Sequence, residues 1–319
     1  MPRGTYFARR SASSDSVVRV ALTGPFKQNP EAVNGAREAV ERLWPGRPAT
    51  VEELGGGITN RNYKVTVDGE AFVLRMGGAR TSELGIDRAV EFAAERRAFE
   101  VGVGPEVTAF VPEEGWLVAR FIDGRPVPVE EMRRPHMLTR VAFALRAFHD
   151  SPPIPGRFNA WGVVDAYRAM AEAHGVAIPA EFRRARGIAE RIRAARGTQP
   201  EAPCHNDLLN ANFLDDGSLR IVDWEYAGMG DRFFDLANFS VNHEFALEDD
   251  RGLLHAYFGE VREADLSAVR MMRFMSDFRE AMWGVLQSGI SDLDFDFTGY
   301  AAQHFERLRK TASELGLQA

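Results

Sequence analysis

Asp207, Asn212 and Asp223 form the strongest chemical pattern in the sequence. Asn212 follows Asp207 by five residues, and Asp223 follows Asn212 by eleven, directly after an apolar run typical of a buried strand. Phosphoryl transfer needs this set, because one carboxylate orients the attacking hydroxyl and accepts its proton, while an amide and a second carboxylate hold Mg²⁺ against the phosphates. We therefore predict Asp207 as the catalytic residue and Asn212 and Asp223 as metal ligands. Each residue alone would be assigned to a turn or a helix cap, but their joint spacing favours the chemical role.

A glycine-rich segment can supply the nucleotide-binding half of such a site. Gly55, Gly56 and Gly57 precede Asn60 between two predicted strands, where the backbone N–H groups of a hairpin loop can surround phosphate oxygens. Three glycines in a hairpin are also typical of a plain turn. Their position upstream of the catalytic pattern favours phosphate binding.

Arg75 lies on a predicted strand, at the position where protein kinases place a lysine that binds ATP. Arginine keeps the positive charge and can hold phosphate oxygens with two parallel hydrogen bonds. The alternative is a solvated strand charge. Glu91 and Glu95 both lie on the next predicted helix and could pair with Arg75; we favour Glu91.

The elements that position these residues fall into two groups, a small antiparallel β-rich lobe and a larger, mainly helical one. This is an α+β chain with a predicted mobile arm over residues 1–30, an ATP-binding lobe over 31–122 and a catalytic and substrate lobe over 123–319. Period-two alternation and turn signals predict strands at Val51–Leu54, Asn62–Val67, Ala71–Met76, Val107–Val111, Trp116–Phe121, Asn212–Leu214 and Leu219–Val222. Helical spacing predicts helices at Pro30–Leu43, Asp87–Val101, Arg134–His149, Val164–Ala173, Ala180–Arg196, Phe233–Phe245, Leu266–Leu286 and Phe297–Leu315.

Composition excludes several classes of protein. The 319 residues carry a net charge of −7, so no basic surplus is present for a nucleic-acid partner. No stretch approaches the roughly 20 apolar residues of a membrane span, so we expect no membrane partner. A single cysteine, Cys204, excludes an internal disulfide framework and favours the cytoplasm. Oligomeric state leaves no mark on the sequence.

These motifs resemble the choline/ethanolamine kinase family, within the aminoglycoside-phosphotransferase-like kinases. The similarity runs from Val51 to Leu308 and includes Asp223-Trp224-Glu225-Tyr226. It implies a protein-kinase-like fold with ATP between the lobes, the loop glycines and Arg75 on ATP, and Asp207 as the group that positions the hydroxyl. The family's helix glutamate precedes a Gly-Pro by thirteen residues, which fits Glu91 before Gly104-Pro105.

The same resemblance implies an aromatic cage for a cationic acceptor. Choline carries a quaternary ammonium, which cannot donate a hydrogen bond and must be held by aromatic faces and nearby carboxylates. By the family match the acceptor residues are Glu225, Tyr226, Asp231, Asp235, Glu280, Trp283, Phe295 and Tyr300. Glu280 departs from the family, since known choline kinases have a tryptophan there, and a carboxylate could favour a smaller protonated amine. The alternative is an amphipathic helix with core aromatics.

The sequence therefore predicts a phosphotransferase that uses ATP and Mg²⁺ to phosphorylate the hydroxyl of a small amino alcohol, with choline favoured. Ethanolamine, thiamine, an aminoglycoside or a sugar are alternative acceptors. A catalytically inactive nucleotide-binding scaffold is the alternative from another class, and it has no need of Asp207, Asn212 and Asp223 together. His205 is predicted to brace the catalytic loop, and His149 to be structural.

Overall fold

The computed structural model describes residues 30–55, 59–78, 81 and 83–317. The arm predicted over residues 1–30 lies outside the described residues, except for Pro30, and so do Gly56 and Gly57. The helices are α1 (Pro30–Leu43), α2 (Arg88–Glu100), α3 (Pro135–His149), α4 (Ala160–Ala173), α5 (Glu181–Arg196), α6 (Arg232–Asn242), α7 (Leu247–Phe258), α8 (Glu263–Ile290) and α9 (Phe297–Glu314). The strands are β1 (Ala49–Leu54), β2 (Asn60–Val67), β3 (Glu70–Gly77), β4 (Val107–Val111), β5 (Trp116–Arg120), β6 (Arg125–Pro126), β7 (Ala202–Cys204), β8 (Phe213–Asp215), β9 (Leu219–Ile221) and β10 (Gly228–Gly230).

The N-terminal lobe is an antiparallel sheet of strand order β1-β2-β3-β5-β4. Alternation in β2 buries Tyr63, Val65 and Val67 in a core shared with α1, because successive strand side chains point to opposite faces. Asp68 and Gly69 have φ of 49° and 85°, the left-handed conformations of a two-residue hairpin turn. The strands predicted for this lobe are confirmed.

Helix α2 crosses the lobe and carries both glutamates that the sequence singled out. Its N-cap Asp87 accepts hydrogen bonds from the backbone N–H groups of Ala89 and Val90, which fixes where the helix starts. Glu91 and Glu95 are both buried, so α2 turns a charged face toward the sheet.

The C-terminal lobe is built around α8, a helix of 28 residues that packs against α4, α6 and α9. It is buried nearly all round from Phe274 to Gln287, which is typical of a helix at the centre of a lobe. It extends beyond the predicted Leu266–Leu286 at both ends. Helix α7 was not predicted, and β6, β7 and β10 are short strands that periodicity missed.

Together the lobes confirm the predicted α+β, protein-kinase-like fold, with the chain crossing between them after β5. No helix among the described residues is long and apolar enough to cross a membrane.

Candidate active site

The loop that carries Asp207 follows β7 and is held by hydrogen bonds to side chains of α6. The two carboxylate oxygens of Asp235 accept hydrogen bonds from the backbone N–H groups of His205 and Asn206, each at 2.7 Å. Asn206 has a φ of 68°, a left-handed conformation that asparagine tolerates better than most residues. Asn238 accepts a hydrogen bond from the backbone N–H of Leu208 at 2.6 Å. The loop is therefore held on a rigid support.

His205 braces the same loop from the side, as predicted. Its Nε2 donates to the carbonyl oxygen of Val222 at 3.0 Å, and its Nδ1 accepts from the backbone N–H of Asp207 at 3.2 Å. That pattern requires a neutral ring, and burial lowers the pKa of His205 accordingly. His149, also buried, bonds to the Asp235 carboxylate at 3.0 Å and has the predicted structural role.

Asn212 and Asp223 carry side-chain oxygen atoms close to Asp207. The Asn212 side-chain amide donates to the carbonyl oxygen of Asp207 at 2.9 Å, which leaves its own oxygen as an acceptor. Asp223 has a φ of 69° directly after β9, and its Oδ1 is buried without a hydrogen-bond partner among the described residues. Amide and carboxylate oxygens are the ligands that Mg²⁺ prefers, so this pair fits a magnesium ion.

Arg75 forms the predicted ion pair with Glu91, and its Nη2 lies 3.4 Å from Oδ1 of Asp223. Arg88 also contacts Glu91, at 2.5 Å. Glu95 is buried close by but forms no ion pair with a described residue, and burial raises its pKa. The preference for Glu91 as the Arg75 partner is therefore confirmed.

Glu225 joins the two lobes. Its carboxylate accepts hydrogen bonds from the Thr59 hydroxyl at 2.6 Å and from the Asn60 side-chain amide at 2.8 Å. Burial, together with the neighbouring Asp223 charge, raises the pKa of Glu225 to about 6. Gly55, the described glycine of the predicted loop, is an exposed bend that follows β1.

Asp207 also contacts a buried arginine. Arg279 donates from Nη1 to Asp207 Oδ1 at 3.0 Å and also pairs with Glu280. Burial raises the pKa of Asp207 to about 7, although the guanidinium acts in the other direction. Burial would also raise the pKa of Glu280, but Arg279, His304 and the Tyr300 hydroxyl together hold that pKa below its ordinary value.

The aromatic residues predicted for a cage lie together beyond this arginine. The Tyr300 hydroxyl donates to Glu280 at 2.7 Å. The ring centroid of Tyr300 is 5.6 Å from that of Trp283 and 6.1 Å from that of Phe295. The guanidinium carbon of Arg279 lies 4.5 Å from the ring centroid of Tyr226. Trp283, Phe295 and Tyr300 thus form an aromatic cluster, which Glu280 connects to the buried guanidinium of Arg279.

Comparison with known proteins decides the family. A sequence model described as the phosphotransferase enzyme family matches residues 50–271. A choline/ethanolamine kinase family protein of known structure from Mesorhizobium loti is 32% identical, with a TM-score of 0.76 over 89% of this chain and 96% of that one. The chain belongs to the choline/ethanolamine kinase family of phosphotransferases. It is a small-molecule kinase.

Two further relatives of this kinase have different acceptors in their names. "Probable ethanolamine kinase A" of Dictyostelium discoideum is 25% identical over 83% of this chain and 86% of its own length. "Probable choline kinase 1" of Arabidopsis thaliana is 26% identical over 86% of this chain and 88% of its own. The two identities are nearly equal, so similarity does not choose between the acceptors.

The structure of the kinase places three predicted acceptor residues elsewhere. Asp231 caps α6 by accepting the backbone N–H of Phe233, and it pairs with Arg196. Asp235 is fully buried beneath the catalytic loop. Glu225 faces the N-terminal lobe. All three carboxylates bond to residues outside the aromatic cluster of Tyr226, Trp283, Phe295 and Tyr300.

Sequence reasoning missed two functional candidates, Arg88 and Arg279. Arg88 lies on the first turn of α2, and its Nη2 donates to the Asn60 side-chain oxygen at 2.5 Å. Arg279 precedes Glu280 within a stretch of α8 that is otherwise mainly apolar. A charged pair within such a stretch was the available signal, since buried charges require partners.

Proposed function

We propose that this kinase transfers the γ-phosphate of ATP to the hydroxyl of a small amino alcohol of the choline and ethanolamine class. The observation that supports the proposal is that Asp207 has two different sets of neighbours. Asn212 hydrogen-bonds to its carbonyl oxygen, and Arg279 connects its carboxylate to Glu280 and, through Glu280, to Tyr300. A base between a phosphate site and an alcohol site is what in-line transfer requires.

We place ATP in the cleft between residues 31–122 and residues 123–319, with Mg²⁺ held by Asn212 and Asp223. When bound, Mg²⁺ would neutralise charge on the β- and γ-phosphates. The exposed fraction of the Asp223 side chain is 34%, which leaves room for a ligand on the cleft side. Arg75, fixed by Glu91 and adjacent to Asp223, is positioned to contact phosphate oxygens.

Asp207 acts on the acceptor. Its carboxylate accepts the hydroxyl proton as the acceptor oxygen bonds to the γ-phosphorus, and the bond from that phosphorus to the bridging oxygen breaks to release ADP. The hydrogen bonds to Asp235 and Asn238 keep the loop from moving during this step. Glu280 supplies negative charge for the ammonium group, because its low pKa keeps it ionised at neutral pH.

The experiment is Mg²⁺-dependent ADP release by the full chain with choline, ethanolamine, thiamine and an aminoglycoside. Asp207→Asn is the blank, since it preserves shape and removes the base. We expect an amino alcohol to exceed the blank by about 100-fold or more, the usual contribution of a general base. If ATP binds and no acceptor exceeds the blank, the proposal is wrong and the inactive-scaffold alternative replaces it.

A further inference from the structure

Arg279 occupies one aromatic face that a cation would need. Its guanidinium carbon is 4.5 Å from the Tyr226 ring centroid, the distance at which a cation is attracted to a ring face. The Arg279 side chain is 2% exposed. One face of Tyr226 is therefore already covered by a cation that belongs to the protein.

The guanidinium is fixed in place by two carboxylates. Nη1 donates to Asp207 at 3.0 Å and pairs with Glu280, and Tyr300 in turn holds the other oxygen of Glu280. Withdrawing one partner from a buried ion pair is strongly unfavourable, because it leaves the other charge unpaired. A ligand that binds here would therefore contact Arg279 in a fixed position.

Arg279 and its two carboxylate partners should interact differently with two kinds of ammonium group. A trimethylammonium group donates no hydrogen bond and depends on aromatic faces, and here the Tyr226 face is taken by a like charge. A primary ammonium group has three donors and can use the lone pairs that remain on the Glu280 and Asp207 carboxylates. Charge-assisted hydrogen bonds of this kind are about twice as strong as neutral ones.

We propose that Arg279 is a specificity-determining residue that makes this kinase prefer acceptors with a primary ammonium group over those with a quaternary one. The inference rests on the proposed function and specifies its substrate class. It reverses the preference for choline that the sequence suggested, and it does so on a residue that the sequence analysis did not single out.

The test is a methylation series at constant carbon chain, in which kcat/KM is measured for ethanolamine, its N-methyl and N,N-dimethyl derivatives, and choline. For the unmodified chain we expect kcat/KM to fall with each methyl group, with ethanolamine ahead of choline by about tenfold or more. An equal or higher value for choline overturns the inference.

Arg279→Met tests the residue itself, since methionine is similar in length and carries no charge. All rates are expected to fall, because Arg279 touches Asp207, but the choline-to-ethanolamine ratio of kcat/KM should rise about tenfold as the Tyr226 face is uncovered. Arg279→Lys keeps the charge and should keep the original preference. Arg270→Met, on the same helix with its side chain on the carbonyl oxygen of Glu314, should leave the ratio unchanged.

The outcomes separate the two claims. If the unmodified chain turns over no amine in the series, the proposed function fails and takes the inference with it. If it turns over the series but the ratio in Arg279→Met equals that of the unmodified chain, the inference alone is wrong. If Arg279→Met does not fold, the series with the unmodified chain and Arg279→Lys still decides, because a choline preference in either one contradicts the proposal.

Discussion

Two buried arginines flank the proposed reaction centre, and they are built alike from different elements. Arg75 comes from strand β3 and contacts Glu91 and Asp223. Arg279 comes from helix α8 and contacts Glu280 and Asp207. In each case one carboxylate is a supporting group and the other is a residue that we assign to the chemistry.

The two arginines nevertheless lie in different surroundings. Asp223 is one-third exposed beside Arg75, and we assign this side to the anionic phosphates of ATP. Arg279 is enclosed by Tyr226, Asp207 and Glu280, and its charge acts on the acceptor side, where we expect a cation. We therefore propose that Arg75 acts on the phosphates, whereas Arg279 limits which ammonium groups the acceptor site can bind.

The largest expected effect comes from Asp235, whose carboxylate holds the catalytic loop. Asp235→Asn places an amide NH₂ group against the backbone N–H groups of His205 and Asn206, so one buried donor loses its acceptor. We expect the free energy of unfolding to fall by about 2–4 kcal/mol, measured by urea denaturation. The control is Asp165→Asn, which alters an ion pair with Arg186 whose side chains are 45% and 33% exposed, and it should cost less than about 1 kcal/mol. Equal losses in both variants would contradict the bracing role.

Exchanging each arginine for lysine tests whether the two arginines act on different substrates. Arg75→Lys keeps the charge but loses the planar, two-pronged geometry, so we expect the KM for ATP to rise about tenfold, the value of one charge-assisted hydrogen bond. The KM for the amino alcohol should stay constant. Arg279→Lys should instead raise the KM for the amino alcohol and leave the KM for ATP constant. The control is Arg96→Lys, at an exposed position on α2. A changed KM for the amino alcohol in Arg75→Lys, or for ATP in Arg279→Lys, would contradict the comparison.

The pH profile gives the smallest expected effect. Asp207 must be ionised to accept the proton, and its pKa is raised to about 7 by burial in the presence of Arg279, Glu280 and Asp223. Activity should therefore rise with pH, with kcat/KM at pH 7 about half of its plateau above pH 8. Since the Arg279 guanidinium lowers this pKa, Arg279→Met should move the rise to higher pH. A profile that is identical in both proteins would exclude Asp207 as the titrating group.

Much of the N-terminal lobe could be predicted because its signals are local. Alternation in β2 and β3 depends on neighbouring residues alone, and the strands predicted from it are present in the structure. Glu91 was separated from Glu95 by the family's spacing to Gly104, and the ion pair confirms that choice.

The acceptor side was less predictable because it depends on side-chain direction across long sequence separations. Helix α8 is buried nearly all round, so its periodicity did not show that Arg279 would reach Asp207. Glu225 and Tyr226 are consecutive, yet Glu225 bonds to the N-terminal lobe and Tyr226 contacts Arg279. Asp231 and Asp235 look like available carboxylates in a sequence, but capping and bracing occupy their oxygens.

Phosphorus NMR of the complete reaction tests the central claim most directly. The full chain would be mixed with ATP, Mg²⁺ and ethanolamine, with Asp207→Asn in parallel. The account predicts that the γ-phosphate signal of ATP gives way to a phosphomonoester signal coupled to the CH₂ protons of the acceptor, and that Asp207→Asn does not form this signal. Formation of inorganic phosphate alone, or of the same ester by Asp207→Asn at an undiminished rate, would contradict it.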